Sequence, residues 1–186
     1  MQEMKPAMKK ILILFTIMIL LGITNIQAQP INVQTFSSKP LGFQISYPDT
    51  WQQTQAAPGA VFTIMKENKT ASISVNIANL KYDKATFMKE FETKSSRDSL
   101  LLSIRRSFPD AKVINYKKTV LGNFPAYLFA IEYSIRNLDT VLKMDSVQIF
   151  CVYEKRIYSV NFESPNIYFN ESNKEFERIL ASFIFR

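Results

Sequence analysis

The 186-residue sequence contains no histidine, one cysteine and four glycines, a composition that excludes several common active sites. Without histidine the chain lacks the usual general base of serine and cysteine hydrolases and the commonest ligand of catalytic zinc, copper and non-haem iron, and its dispersed glycines form neither a P-loop nor a dinucleotide fingerprint. The formal net charge is +7, but the basic residues are scattered among acidic ones, which argues against nucleic-acid binding.

Residues 1–28 predict a cleavable signal peptide, because a basic start, an apolar middle and a small-residue end follow in that order. The basic start contains Lys5, Lys9 and Lys10, and residues 11–23 (ILILFTIMILLGI) form the apolar middle. Cleavage is expected after Ala28. The apolar run is shorter than the roughly 20 residues that a spanning helix needs, although an uncleaved membrane anchor is the alternative. No cysteine lies at the expected cleavage point, where a lipid-anchored lipoprotein would need one, so the exported chain is expected to be soluble, in the periplasm or outside the cell.

The rest of the chain predicts a polar extension at residues 29–40 and a single domain at residues 41–186. Residues 42–48 (GFQISYP) alternate apolar and polar side chains and end at a proline, as a half-buried strand does. Two more strands are predicted at residues 61–65 and 71–78. The polar turn between them indicates a β-hairpin.

A helical segment is predicted from Asp83, a suitable N-cap, to about residue 107. Pro109 then prevents the helix from continuing. Residues 92–99 are wholly polar, and they interrupt the apolar face of the segment. Two helices with a kink between them are therefore expected.

The second half of the chain predicts four strands followed by a closing helix. The strands are expected at residues 111–120, 124–135, 141–154 and 157–163, separated by turn residues. Ser172 and Glu175 fit a capping box, which indicates that the closing helix begins there. These elements predict an α+β fold in which helices flank an antiparallel β-sheet.

The single cysteine and the abundant aromatic residues are interpreted as parts of the core. Cys151 lies in an apolar strand sequence and has no second cysteine to pair with, so we expect it to be buried and free. The 15 phenylalanines and 8 tyrosines suit the interior of such a sandwich. An aromatic-lined ligand cleft is the alternative interpretation.

Carboxylates are the remaining candidates for catalysis, because a glycosidase-like reaction needs only an acid and a base. Two pairs are considered, Asp139 with Asp145, and Glu132 with Glu154 across neighbouring strands. Acidic residues at strand ends and turns are also ordinary surface residues. We therefore assign no catalytic, cofactor-binding or metal-binding residue.

The segment from Gly42 to Pro48, followed by Trp51, resembles the opening strand of the PsbP-like and DcrB-like domains, approximately G-F-x-[hydrophobic]-x-Y-P-x-x-W. Residues 122–126 (GNFPA) and 179–183 (ILASF) are also similar to that family. The resemblance implies an α/β/α sandwich around an antiparallel sheet, the fold of the Mog1-like proteins. Trp51 and Tyr47 are then expected to cap the core at the end of a strand.

The same resemblance implies an accessory or binding protein, since characterised members act in photosystem assembly or bind a small GTPase and share no catalytic motif. We expect a non-catalytic protein without a cofactor that binds another envelope or secreted protein. The alternative is a small-molecule-binding domain or a carboxylate-dependent hydrolase with an aromatic-lined cleft. An exposed apolar patch favours the first function, and a deep pocket with convergent acids favours the second.

Overall fold

The computed structural model describes residues 32–81 and 83–186, so the predicted signal peptide at residues 1–28 lies outside the described residues. Ten strands and three helices occupy the described part of the chain. The strands are β1 (Val33–Ser38), β2 (Phe43–Pro48), β3 (Trp51–Gln53), β4 (Ala60–Lys66), β5 (Ser72–Asn79), β6 (Lys112–Leu121), β7 (Phe124–Asn137), β8 (Thr140–Tyr153), β9 (Arg156–Pro165) and β10 (Ile184–Phe185). The helices are α1 (Lys84–Glu92), α2 (Lys94–Arg105) and α3 (Asn166–Ala181). Across residues 32–81 and 83–186, no helix has the length and apolar character needed to span a membrane.

Seven strands form one antiparallel sheet in the order β3-β4-β5-β9-β8-β7-β6, and three form a small antiparallel sheet in the order β1-β2-β10. Strands β6 to β9 make a meander because tight turns connect them. Gly122 and Asn123 turn the chain between β6 and β7 with φ angles of 53° and 70°, a conformation that Gly and Asn tolerate. Helices α1 and α2 carry the chain from β5, inside the sheet, to β6 at its edge.

One face of the large sheet packs against the small sheet and α3 to form the main core. Alternate residues of the central strands point into it, as the period of two requires, and Ile73, Ile149 and Val160 are fully buried. Stacked rings connect the layers. Phe183, after α3, lies 5.3 Å from the ring of Phe43 in β2.

The opposite face packs against α1 and α2 where the sheet consists of β6, β7 and β8. Tyr127, Phe129, Ile131 and Tyr133 alternate along β7 and form the buried floor of this second core. Phe91 of α1 covers it, with its ring centroid 5.6 Å from that of Tyr127. Neither α1 nor α2, both within the described residues, has a fully buried residue. This helical layer is therefore held by fewer buried contacts than α3.

The predicted fold class is confirmed, because helices flank antiparallel sheets on both faces. The predicted interruption of the helical segment is also present: Thr93 separates α1 from α2 and caps the second helix by accepting a hydrogen bond from the Ser96 N–H. Asp83 is the N-cap of α1, as predicted, and its Oδ1 accepts a hydrogen bond from the Thr86 N–H at 2.9 Å.

The predicted start of the closing helix is wrong. Helix α3 begins at Asn166 and is preceded by Pro165, whose φ of −52° already suits a helix entry. Ser172 lies inside the helix and is buried, and its Oγ has no hydrogen-bond partner among the described residues. The capping-box pattern therefore arises by chance within a helix that continues because Phe169 and Phe176 both pack on Phe162 of β9.

Three strands were not predicted, and two sheets are present instead of one. Strand β1 lies within residues 29–40 and pairs with β2. Strand β3 has three residues and β10 has two, which is too short to show a periodic pattern. Strand β10 pairs with β2 from the other end of the chain, so no local signal marks it.

Candidate functional site

Trp51 and Tyr47, the most distinctive residues of the opening motif, are core residues as predicted. The Trp51 side chain is fully buried, and its Nε1–H donates a hydrogen bond to Oε2 of Glu175 on α3 at 2.7 Å. Tyr47 is also buried, with its ring centroid 6.0 Å from that of Phe62. These aromatic side chains line no open cleft.

Glu175 connects the tryptophan to a lysine on the neighbouring strand. Lys66 is the Cα partner of Trp51 across β3 and β4, and its Nζ lies 2.8 Å from Oε1 of Glu175 and 3.4 Å from Oε1 of Glu171. Burial lowers the pKa of Lys66, but its hydrogen bonds and charge pairing with these glutamates raise it overall. The network holds α3 to the β3–β4 edge and has a structural role.

Cys151 is buried and free, as predicted. Its Sγ lies 3.4 Å from the Pro125 carbonyl oxygen. Burial raises the pKa of the thiol to about 11, and the charge of Lys84 offsets this only in part. The thiol is therefore protonated at neutral pH, which does not suit a nucleophile.

The two carboxylate pairs considered as candidates do not form. Asp139 lies in the β7–β8 turn, six residues along the hairpin from Asp145, which corresponds to about 20 Å of strand. Glu154 lies in the β8–β9 turn at the other end of β8, about 30 Å from Glu132 by the same measure. The hairpin register instead pairs Glu132 with Asp145.

Glu132 and Asp145 line a small polar cleft of about 240 Å³ together with Asp110, Lys112 and Lys143. Two of its three acids are already hydrogen-bonded within the fold. The Asn166 side-chain amide donates to Asp145 at 2.7 Å, and the Ser134 N–H donates to Asp110 at 3.2 Å. The volume lies below the range of about 300 to 1,000 Å³ typical of ligand sites, and the described residues contain no cluster of potential metal ligands.

The β7–β8 hairpin extends beyond the strands on both sides of it. The pairing of β6 with β7 ends at Lys112 and Glu132, and the pairing of β9 with β8 ends at Pro165 and Met144. The hairpin continues through four more residue pairs to Asn137 and Thr140. Residues 134–143, which we name the projecting hairpin, therefore extend about 13 Å past the sheet.

The tip of the projecting hairpin is apolar and exposed. Leu138 is 99% exposed, and Ile135, Val141 and Leu142 are 40%, 53% and 42% exposed. Ile135 and Leu142 are cross-strand partners and occupy one face, while Val141 lies on the other. Leu138 buries almost nothing within the described part of the chain, so packing within the fold gives no reason for an apolar residue at this position.

The backbone conformation at Leu138 is also unfavourable for a leucine. It is the first residue of the two-residue turn and has a φ of 48°, a region that favours Gly and Asn and costs other residues roughly 1 to 2 kcal/mol. Its side chain makes no packing contact that offsets this cost. The backbone cost of Leu138 is therefore not offset by packing within the described residues.

A shallow groove of about 490 Å³ adjoins the base of the hairpin and extends the apolar surface. Phe108 and Pro109 from the α2–β6 connection and Ile135 from β7 contribute its apolar lining. Phe108 is held against Tyr133, with the ring centroids 4.2 Å apart. The hairpin and the groove together form the candidate protein-binding surface.

The sequence predicts the two strands and the turn, but it does not predict that they form an exposed apolar surface. One signal was available, because Leu138 occupies the turn between Asn137 and Asp139, where polar residues and glycine are usual. The overhang itself depends on where β6 and β9 end, and no local pattern reports that.

The family model described as PsbP matches residues 31–185 of the sequence. Comparison with curated proteins gives no match. Solved structures with similar folds include cyanobacterial PsbP (CyanoP) from Synechocystis sp. PCC 6803, with 15% identity, a TM-score of 0.66 and coverage of 90% of this chain and 99% of that one.

Two further similar structures are more distant. LpqN of Mycobacterium tuberculosis, described as involved in cell envelope biogenesis, has 12% identity and a TM-score of 0.52 over 85% of this chain and 86% of its own. The Ran-binding protein Mog1p of Saccharomyces cerevisiae has 9% identity and a TM-score of 0.53 over 83% and 96%. The TM-scores show a shared fold, and the family match covers nearly every residue of that fold. The chain therefore belongs to the PsbP family.

Proposed function

We propose that this protein is an exported, non-catalytic accessory protein that binds another envelope or secreted protein through the projecting hairpin, residues 134–143. Export is supported by the sequence of residues 1–28, in which a basic region, an apolar region and a small-residue end follow one another. The envelope setting is supported by the similarity to LpqN, whose description places it in cell envelope biogenesis.

The observation that carries the proposal is the exposed apolar tip. Leu138 lies at the tip of a projecting element, with Leu142 on one face and Val141 on the other, and exposed apolar side chains gathered on one element favour an interaction site. Such residues contribute to binding when a partner covers them, because apolar surface is removed from water. A projecting hairpin presents both of its faces and so suits insertion into a groove of the partner.

Protein binding fits the surface better than hydrolysis. The polar cleft at Glu132 and Asp145 is small, and its carboxylates are engaged by Asn166 and Ser134 or exposed to solvent. Among the described residues, the most buried tyrosines and phenylalanines belong to the two cores. The similarity to a Ran-binding protein gives a precedent for protein recognition on this fold.

Site-specific photocrosslinking in the native host tests the proposal. A photoreactive amino acid at position 138 should give one discrete cross-linked product, and the same amino acid at position 174, on the exposed side of α3, should not. Adding Val141→Asp should remove the product without changing the thermal unfolding midpoint, because Val141 is exposed. The absence of a product from position 138, or an identical product from position 174, would contradict the assignment of the hairpin.

A further inference from the structure

A second groove, distinct from the projecting hairpin, lies between α1 and the β6–β7 end of the large sheet. Its volume is about 490 Å³, which falls within the range of small-molecule sites. The apolar lining comes from Ala85 and Met88 on α1, from Pro125 and Ala126 on β7, and from Tyr127. Tyr127 is buried at the floor, whereas the Ala126 side chain belongs to the main core on the other face of the sheet.

One end of the groove carries a cation that has no carboxylate partner. Lys84 lines the groove, and its Nζ lies 5.5 Å from the centroid of the Phe124 ring. No carboxylate of residues 32–81 or 83–186 lies within 4.0 Å of this ammonium group. The neighbouring Asp83 is engaged in capping α1, where both of its carboxylate oxygens accept hydrogen bonds from Thr86.

The single acid of the groove is already neutralised. Glu92 Oε1 lies 2.6 Å from Nζ of Lys118 and accepts a hydrogen bond from the Tyr127 hydroxyl at 2.8 Å. Lys118 and the Tyr127 hydroxyl hold the pKa of Glu92 below its usual value. At neutral pH the charge of Glu92 is therefore paired with that of Lys118. The remaining charge in the groove is the positive charge of Lys84.

We propose that this groove binds a small amphipathic anion, a molecule with a short apolar chain and a terminal carboxylate. The chain would lie on Ala85, Met88 and Pro125, and the carboxylate would pair with Lys84. The charge of the groove selects an anion over a cation, since the one acid is occupied and the one unpaired group is an ammonium. This site is separate from the protein-binding surface, and either proposal can fail alone.

Titration with straight-chain carboxylates tests the site, with the chemical shift of the Met88 methyl group as the readout. Octanoate should bind about tenfold more tightly than hexanoate, because two more CH₂ groups leave water. Octanol and octylammonium should each bind at least about tenfold more weakly than octanoate, because neither pairs with Lys84.

Three variants locate the ligand. Lys84→Gln should weaken octanoate binding about tenfold and leave octanol binding unchanged. Ala85→Trp, at an exposed helix position, should fill the groove and abolish both. Lys174→Gln, an equal change of charge on the exposed face of α3, should change neither. The proposal is overturned if octanoate does not shift Met88, if octanol binds as tightly as octanoate, or if Lys84→Gln binds octanoate like the wild type.

Discussion

At the scale of single residues, Trp51 shows how one side chain fixes several layers. It is fully buried, it belongs to the edge strand β3, and it donates its N–H to Glu175 on α3. The ring fills the space where the strand edge meets the helix. Because it is the only tryptophan, its emission reports on this contact alone.

Replacing Trp51 with alanine should lower the free energy of unfolding by about 3 to 5 kcal/mol, because a large buried side chain is lost and a cavity remains. Trp51→Phe keeps most of the packing and should cost less. Urea denaturation of both variants measures the effect. A wild-type denaturation midpoint for Trp51→Ala, together with native tryptophan emission that iodide readily quenches, would show that the residue is an exposed ligand-stacking group instead.

The Cys151 thiol should be unreactive in the native protein at neutral pH. Cys151→Ala should fold normally and lose only about 1 kcal/mol, because the change in a packed strand is small. A bulky thiol reagent should label the native protein slowly at neutral pH and faster as the pH approaches the thiol pKa of about 11. Rapid labelling at pH 7, complete before any unfolding, would contradict the buried position.

At the scale of secondary-structure elements, α3 is attached to the sheet edge by a small ionic network and by packed rings. The side chain of Lys66 is 11% exposed and that of Glu175 is 26% exposed. At such partly buried positions an ion pair has more effect than at the open surface, and removal of one partner leaves the other unsatisfied.

Glu175→Ala should reduce the free energy of unfolding by about 2 kcal/mol, because the Trp51 N–H and the Lys66 ammonium group both lose an acceptor. Glu177→Ala, an exposed position on the same helix, is the matched control and should change little. The folded-state pKa of Lys66 is raised above 10.5, so the contribution of this pair is complete below that pH and is lost as the pH rises through the folded-state pKa. Equal stability of the two variants at pH 7 would show that the network contributes nothing.

The projecting hairpin contains a residue, Leu138, whose backbone conformation lowers the stability of the fold. Leu138→Gly should raise the free energy of unfolding by about 0.5 to 1 kcal/mol, because glycine tolerates the positive φ at this position. The same change should weaken partner capture by removing the apolar tip. Thermal unfolding and the cross-linking assay measure the two effects. A destabilised Leu138→Gly variant would mean that the leucine packs within the monomer, against the proposed role.

At the scale of the whole molecule, the proposed export determines the compartment in which a partner would be met. We expect the protein from its native host to begin at Gln29, after cleavage behind Ala28, and to purify without detergent. Intact-mass analysis decides this directly. A mass that includes residues 1–28, or recovery only from detergent-solubilised membranes, would support the membrane-anchor alternative and move the partner to a membrane surface.

Local periodicity was enough to predict much of this fold. Alternation along β2 and β5 identified strands, Asp83 identified the start of α1, and the apolar setting of Cys151 indicated burial. These features depend on residues within a few positions of one another, which is why sequence alone reports them. The opening motif at residues 42–51 also indicated the family, and the family resemblance indicated that Trp51 is a core residue.

The proposed surfaces depend on relations that no local pattern contains. The pairing of Glu132 with Asp145 follows from the turn at Leu138 and Asp139, and a shift of two residues would place Glu132 opposite Lys143 or Val147 instead. The overhang of the hairpin follows from β6 and β9 being shorter than β7 and β8 at that end. The groove at Lys84 forms only because α1 packs across β6 and β7. In each case the position of a side chain is set by contacts between distant segments, whose packing energy selects one register and one helix placement among many that the local sequence allows.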